Sequence, residues 1–268
     1  MTALTSFVKR HRLVAFFVLV FVLEAAITLL LAGAADILPF ALTAIPAVVA
    51  LTLAGIEGRA ELRVLLRRVV IWRVGLKWYL IVFGLPVLTA LIIILLGVLL
   101  GAQVAGLGTH LTPSLLIVFA VVLLPAFGEE LGWRGYGLPK LLEGHSALAA
   151  SLILGVLWTA FHLPLFLPGQ EYGTLTIWPL PFELIGLSVL FAWVFIHTRG
   201  SVLLVTLFHA MVNTTTPMTG DIDPVVAWEL RGIVLAAMAI IVVLLAGPDL
   251  MRQSTLQTPA ARRDQPVA

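Results

Sequence analysis

The sequence contains no cysteine, and only 11% of its 268 residues are charged. The absence of cysteine excludes a thiol nucleophile, a cysteine-ligated zinc site, an iron–sulfur cluster and any disulfide framework. The scarcity of charge argues against a water-soluble domain, in which about a quarter of the residues are charged. Apolar residues make up 61% of the chain and the mean hydropathy is +1.11, so the sequence predicts a protein solvated by lipid.

What the sequence has instead is a series of long apolar runs. A membrane-spanning helix needs about 20 mostly apolar residues, and eight segments approach or exceed this length. The predicted fold class is therefore an all-α, polytopic helical membrane bundle. The predicted spans are Leu13–Leu31, Leu38–Leu53, Trp78–Leu100, Leu111–Leu138, Ala147–Leu163, Phe182–Ile196, Ser201–Pro217 and Val225–Gly247.

The first run has two interpretations. Its basic start and the sequence Ala32-Gly33-Ala34 resemble a signal peptide with its cleavage site. However, its apolar part is 19 residues long and contains Glu24, whereas that of a signal peptide typically spans about 7–15 residues. We therefore favour a retained membrane anchor.

The lysines and arginines indicate how the bundle is oriented. With eight spans, fifteen of the sixteen fall on one side of the membrane and only Arg231 falls on the other. Cytoplasmic loops collect Lys and Arg, so we expect a multi-pass protein of the cell membrane with both termini in the cytoplasm. The fifteen are Lys9, Arg10, Arg12, Arg59, Arg63, Arg67, Arg68, Arg73, Lys77, Arg134, Lys140, Arg199, Arg252, Arg262 and Arg263.

The connection between the second and third spans predicts a basic amphipathic helix over Arg59–Lys77. Apolar residues recur there at helical spacing, while Arg59, Arg63 and Arg67 share another face. Such a helix lies on the inner leaflet and attracts anionic lipids. Recruitment of a substrate is the alternative role. We therefore attribute the basic character of the chain, with its formal net charge of +2, to contact with the membrane surface. We expect no nucleic acid partner.

Polar residues inside the predicted spans are the candidate functional residues, because ionisable groups in a bilayer are costly and usually functional. Three spans bring them to overlapping depths, roughly 14–24 Å from the basic side at 1.5 Å per residue. A polar network that only holds helices together is the alternative. Glu24 and Glu183 are single acids on their spans, which favours helix contact or cavity lining. The candidates are Glu129, Glu130, Arg134, His162, His209 and Asn213.

The spacing within the fourth span predicts separate roles for its two carboxylates. Glu130 and Arg134 are four residues apart and share a helix face, so we expect an ion pair between them. Glu129 is rotated about 100° from Glu130 and is left unpaired by the arginine. Glu129 is therefore the better general base, and His162 is its expected partner.

His209 and Asn213 are also four residues apart and present two donors that can stabilise negative charge on an oxygen. Such a site in a membrane suggests hydrolysis, and the signatures of other hydrolase classes are missing. No His is followed by Glu, so the zincin motif is absent. The serine pattern Gly-x-Ser-x-Gly and the Gly-x-Gly-Asp motif of aspartyl enzymes are absent as well. Chemistry by Glu, His and Asn remains, with or without a metal.

At these residues the sequence resembles the CAAX-protease and bacteriocin-processing (CPBP, or Abi) family of intramembrane peptidases. The family pattern is Glu-Glu-x-x-x-Arg, Phe-x-x-x-His and His-x-x-x-Asn on separate spans. Here the first pattern lies in Gly128–Tyr136 and the third in His209–Asn213. The second lies in Trp158–Pro164, with Trp158 where the family more often has Phe. All three occur in order, and the resemblance covers roughly Leu111–Thr216.

The resemblance implies an endopeptidase that cleaves a membrane-associated protein or peptide. By analogy with the family, Glu129 and His162 would activate water. His209 and Asn213 would form the oxyanion hole. The family is described both as zinc-dependent and as glutamate-dependent. Binding of a Zn²⁺ ion by Glu129, His162 and His209 is therefore an open alternative.

The resemblance also implies that Glu130 and Arg134 organise the site, and it divides the chain into four parts. Residues 1–110 form a variable N-terminal region, 111–217 the catalytic core, 218–249 the last span and 250–268 a disordered cytoplasmic tail. Two other functions stay open. One is a catalytically idle relative that acts as a membrane immunity or binding protein, and the other is a small-molecule transporter with a polar site at mid-membrane.

Overall fold

The computed structural model describes residues 11–104 and 112–251. Within these ranges the chain forms helices and no strand, which confirms the predicted fold class. Predictions for residues 1–10, for residues 105–111 and for the tail from residue 252 onwards lie outside the described residues. They include the basic residues Lys9, Arg10, Arg252, Arg262 and Arg263.

Each predicted span is a helix whose limits differ from the predicted ones by a few residues. Seven of the described helical segments are long and apolar enough to cross a membrane. The remaining predicted span is Val202–Thr215, which has 14 residues and continues into a 3₁₀ turn at Thr216–Thr219. The helices are α1 (Arg12–Leu30), α2 (Leu38–Glu57), α3 (Arg59–Val69), α4 (Leu76–Leu99), α5 (Ser114–Gly132), α6 (Leu138–Leu141), α7 (Ala147–Phe161), α8 (Pro179–His197), α9 (Val202–Thr215) and α10 (Pro224–Ala246).

The basic amphipathic helix is shorter than predicted. α3 ends at Val69, and Leu76 and Lys77 already belong to α4. Gly75 is extended just before α4, because the chain must turn there from the surface into the bundle. The prediction of one helix over Arg59–Lys77 is therefore wrong. The exposed basic residues of α3 are Arg59, Arg63 and Arg67.

The two ends of the bundle differ in charge. At one end, Arg12 and Lys140 contact Glu57 at 3.8 and 3.2 Å. At the other end, the segment between α7 and α8 meets the segment between α1 and α2, where Gln170 Nε2 donates to the carbonyl oxygen of Ala32 at 3.1 Å. We call the first end the basic face and the second the opposite face. The described basic-face residues are Arg12, Arg59, Arg63, Arg67, Arg68, Arg73, Lys77, Lys140 and Arg199.

Two glycines, one helical turn apart, let α5 lie directly against α2. A Cβ atom on Gly128 would lie 2.5 Å from the carbonyl oxygen of Thr43. One on Gly132 would lie 2.3 Å from the Cβ of Pro46. Small residues allow such close approach of helix backbones in membranes. The two carboxylates between these glycines are therefore fixed in depth by backbone packing.

Candidate active site

A cavity of about 560 Å³ lies inside the bundle, between α2, α5, α7, α8, α9 and α10. We call it the central cavity. Four predicted site residues line it: Glu129, His162, His209 and Asn213. The other two, Glu130 and Arg134, are completely buried beside it. The structure thus brings all six predicted residues into one region.

Glu130 connects an arginine to a histidine. Its Oε1 atom accepts hydrogen bonds from Nη1 of Arg134 and from Nδ1 of His209, both at 2.9 Å. The ion pair expected from the four-residue spacing is therefore present. Because the carboxylate paired with Arg134 is an acceptor, the Nδ1 proton of His209 is directed to Glu130, and Nε2 is left for other partners.

The buried guanidinium of Arg134 lies between two aromatic rings. Its Cζ atom is 4.2 Å from the ring centroid of Trp158 and 4.9 Å from that of Phe191. Nε and Nη2 of Arg134 have no hydrogen-bond partner. The positive charge is therefore compensated by Glu130 and by the faces of the two rings.

Glu129 is held by a tryptophan and not by a histidine. Nε1 of Trp158 donates to Oε2 of Glu129 at 2.6 Å, while Nδ1 of His162 contacts the carbonyl oxygen of Trp158 at 2.9 Å. The predicted pairing of His162 with Glu129 is therefore wrong. The cause is the end of α7, where the backbone N–H of His162 bonds to Thr159 and leaves the Trp158 carbonyl for the imidazole. Since a carbonyl only accepts, Nδ1 carries the proton and Nε2 keeps its lone pair.

The contribution of Trp158 was missed by reasoning from the sequence, which treated it only as an aromatic replacement for Phe. Its ring also contacts the imidazoles of His162 and His209, with centroids 5.6 and 5.5 Å apart. A phenylalanine would keep these contacts but has no N–H to offer Glu129. The departure from the family pattern, Trp158 in place of Phe, was the feature of the sequence that could have indicated an additional hydrogen-bond donor.

Four further charged residues line the central cavity: Asp36, Glu171, Glu183 and Arg231. Glu183 is buried and forms an ion pair with Arg231, so it fits the cavity-lining interpretation. Glu171 belongs to the segment between α7 and α8. Desolvation by burial raises the pKa of Glu171. Glu24 is buried on α1, away from the residues that line the cavity.

Glu129, His162 and His209 are also the candidate ligands for Zn²⁺. Among the residues that the structure describes, no three His, Asp or Glu side chains are gathered closely enough to hold a metal ion. A catalytic zinc site needs three protein ligands around one position. The arrangement thus does not fit a ready-made metal site.

Comparisons with known proteins relate the segment that contains these residues to a family of peptidases. The family model described as "Type II CAAX prenyl endopeptidase Rce1-like" matches residues 111–215. A protein of Methanococcus maripaludis named CAAX prenyl protease 2 is 28% identical over 179 residues. Over this segment the chain is similar to the CPBP family. The segment that matches the family model contains all six candidate site residues, so the predicted resemblance is confirmed. The alignment with the Methanococcus protein covers 63% of this chain and 66% of that protein, just under two thirds of its length.

Proposed function

We propose that this protein is an intramembrane endopeptidase of the CPBP family that hydrolyses a peptide bond of a membrane-associated protein or peptide. The observation that carries the proposal is the convergence of a carboxylate, two imidazoles and an amide on one cavity inside a bundle of apolar helices. The names of the matched family and of the Methanococcus relative point to the same class of reaction.

In the proposed reaction Glu129 is the general base. A water molecule in the central cavity gives a proton to Glu129 as its oxygen attacks the carbonyl carbon of the substrate. The Nε2 lone pair of His162 accepts a hydrogen bond from the same water and orients it. Protonated Glu129 then delivers the proton to the leaving amine when the tetrahedral intermediate collapses, so the base is regenerated.

His209 and Asn213 are proposed to stabilise the oxyanion of that intermediate. The side-chain amide of Asn213 donates directly. His209 donates from Nε2 when its imidazole is doubly protonated, because its Nδ1 proton is already bonded to Glu130. Glu130, Arg134 and the imidazolium then carry a net charge of +1, which the developing oxyanion neutralises.

Removing the amide of Asn213 should therefore affect the rate more than the fold. Loss of one oxyanion-hole donor typically costs about 10²–10³-fold in rate, and we expect a loss of this size for Asn213→Ala. Single-turnover cleavage gives the rate and thermal melting in detergent gives the stability. A rate close to that of the wild type would exclude Asn213 from the oxyanion hole.

The bond between Trp158 and Glu129 predicts a smaller, specific effect. Trp158→Phe keeps the aromatic packing but removes the N–H that holds the general base, and we expect the single-turnover rate to fall about tenfold, or about 1.4 kcal/mol. Trp133→Phe is the matched control, because Trp133 is equally buried and its Nε1 has no hydrogen-bond partner. Equal losses in the two variants would show that only indole packing matters.

The orientation of the bundle decides from which side the substrate arrives. The described cavity-lining loop residues, including Asp36 and Glu171, belong to the opposite face, away from the basic face. If the basic face is cytoplasmic, as the positive-inside rule indicates, the central cavity opens to the outside. We therefore propose that the bond to be cleaved is presented on the outer side of the membrane.

The absence of native cysteine makes this orientation directly measurable. An impermeant maleimide should label Asp36→Cys in intact cells, but should label Arg63→Cys only after the membrane is permeabilised. Both positions are exposed and lie at opposite ends of the bundle. The reverse pattern would place the termini and the basic face outside.

α3 is proposed to bind anionic lipids. A surface groove of about 470 Å³ runs along this helix and combines guanidinium groups with apolar side chains. Guanidinium groups suit lipid phosphates, and the apolar residues suit the upper part of the acyl chains. The groove is lined by Arg59, Leu62, Arg63, Leu66, Arg67 and Val70.

Comparative proteomics of membranes from cells that express the wild type or Glu129→Ala tests the proposed activity. We expect the variant to accumulate the full-length form of at least one membrane protein, and purified wild type to convert that form into shorter products. A parallel reaction with a metal chelator should give the same products. Identical membrane proteomes would favour the catalytically idle immunity or binding protein, and altered uptake of a solute would favour the transporter.

A further inference from the structure

Arg231 is a charged residue of the central cavity that the proposed chemistry does not use. It lies on α10, where its Nη2 atom pairs with Oε1 of Glu183 and its Nη1 atom donates to Oγ1 of Thr216 at 2.6 Å. The side chain of Arg231 is 18% exposed, whereas that of Glu183 is 3% exposed. Glu183 of α8 thus holds the guanidinium of Arg231 in place, while part of the arginine side chain stays accessible from the cavity.

The ion pair is incomplete on both sides. Nε of Arg231 and Oε2 of Glu183 are buried and have no hydrogen-bond partner. A guanidinium and a carboxylate that served only to hold two helices together would be expected to pair through two parallel bonds. Among the described lining residues of the central cavity, Arg231 is also the single Lys or Arg. The guanidinium group of Arg231 can therefore bind a second carboxylate.

The position of Arg231 relates it to the proposed oxyanion donor. Its partner Thr216 follows Asn213 by three residues, about 4.5 Å along a helix. Asn213 and Arg231 both line the central cavity and a neighbouring cavity of about 470 Å³ on the opposite face. A peptide that extends from one cavity into the other would pass both residues. At about 3.3 Å per extended residue, a group bound by Arg231 would lie roughly one to three residues from the scissile bond.

We propose that Arg231, held by Glu183 in the free protein, is a subsite for a carboxylate of the peptide substrate. The carboxylate is either the C-terminal one or that of an acidic side chain close to the cleaved bond. This inference rests on the proposed function for its biological meaning, but it concerns binding and can be tested without turnover. Glu183 competes with the substrate carboxylate for the guanidinium, so removing its charge strengthens the site.

The test uses the inactive Glu129→Gln background and three fluorescent, palmitoylated peptides of alanine and leucine in detergent micelles. One ends in a free carboxylate, the second in a carboxamide, and the third in a carboxamide with one internal glutamate. The dissociation constants are measured by fluorescence anisotropy, and cleavage by the protein with Glu129 intact is followed in parallel. Arg231→Gln and Arg231→Lys are compared with Arg73→Gln, a control at an exposed position of the basic face outside the groove of α3.

We expect the protein with Arg231 intact to bind one of the two carboxylate peptides about tenfold or more tightly than the plain carboxamide, as for a charge-assisted hydrogen bond. Which peptide is preferred identifies the source of the carboxylate. Arg231→Gln should remove the preference, Arg231→Lys should keep part of it, Glu183→Gln should increase it, and Arg73→Gln should leave it unchanged.

Equal binding of all three peptides by the protein with Arg231 intact would overturn the proposal without relying on any variant at that position. An equal weakening of all three by Arg231→Gln, together with a lower melting temperature, would assign the pair to helix packing and would also overturn it. Carboxylate-selective binding without cleavage by the protein with Glu129 intact would contradict the endopeptidase activity and leave the subsite established.

Discussion

Glu129→Gln is expected to abolish most of the turnover while leaving the protein folded. Glutamine cannot take a proton from water, and general base catalysis contributes about 10²–10⁴-fold to the rate. Its amide oxygen can still accept the hydrogen bond that Trp158 gives to Glu129, so the packing of α5 against α7 should persist. The measurements are single-turnover cleavage of a membrane substrate and thermal melting in detergent.

Glu24→Gln is the matched control for this prediction. Glu24 is also a buried carboxyl group on a membrane helix, but it does not line the central cavity. The same chemical change there should leave the cleavage rate unchanged. A near-normal rate for Glu129→Gln would contradict the assignment of this residue as the general base.

Glu130→Gln is expected to lower both stability and activity. The change removes the negative charge that faces the fully buried Arg134 and the Nδ1 atom of His209. Removing one partner of a buried ion pair costs about 3–5 kcal/mol, because the other charge is left uncompensated in a low dielectric. We expect a clearly lower melting temperature, and a lower cleavage rate because the imidazolium of His209 loses its counter-ion.

A double variant separates these two effects. In Glu130→Gln/Arg134→Met the buried guanidinium is removed together with its carboxylate partner, and replacing both members of such a pair is often tolerated. The melting temperature should therefore rise relative to Glu130→Gln, whereas the cleavage rate should stay low. If Glu130→Gln proved stable but inactive and Glu129→Gln kept near-normal turnover, the two carboxylates would have the reverse roles.

Composition and local spacing were enough to predict the helical bundle and most of its local features. Eight apolar runs predicted eight of the ten described α-helices to within a few residues, because the need to match the bilayer depends on the composition and length of each run alone. The ion pair between Glu130 and Arg134 followed from spacing on a single helix. The three motifs also identified the segment 111–215 that matches the family.

The pairing of side chains from different helices became known only from the way in which the helices pack. The sequence did not show that Glu130 forms a hydrogen bond with His209 or that Trp158 donates one to Glu129. It also did not show that the imidazole of His162 bonds to the carbonyl oxygen of Trp158. Such contacts depend on the rotation and relative depth of α5, α7 and α9. They also depend on which of several nearby acceptors forms the hydrogen bond with each donor.

The same reason applies at the edges of the bundle. The pattern of apolar and basic residues continued to Lys77, yet α3 ends at Val69 because the chain must turn into the next span. Arg231 was the single basic residue predicted on its side, and the packing of α10 on α8 turned it toward Glu183 and the central cavity. The functional residues could be identified from the sequence, but their contact partners are determined by the packing of the helices.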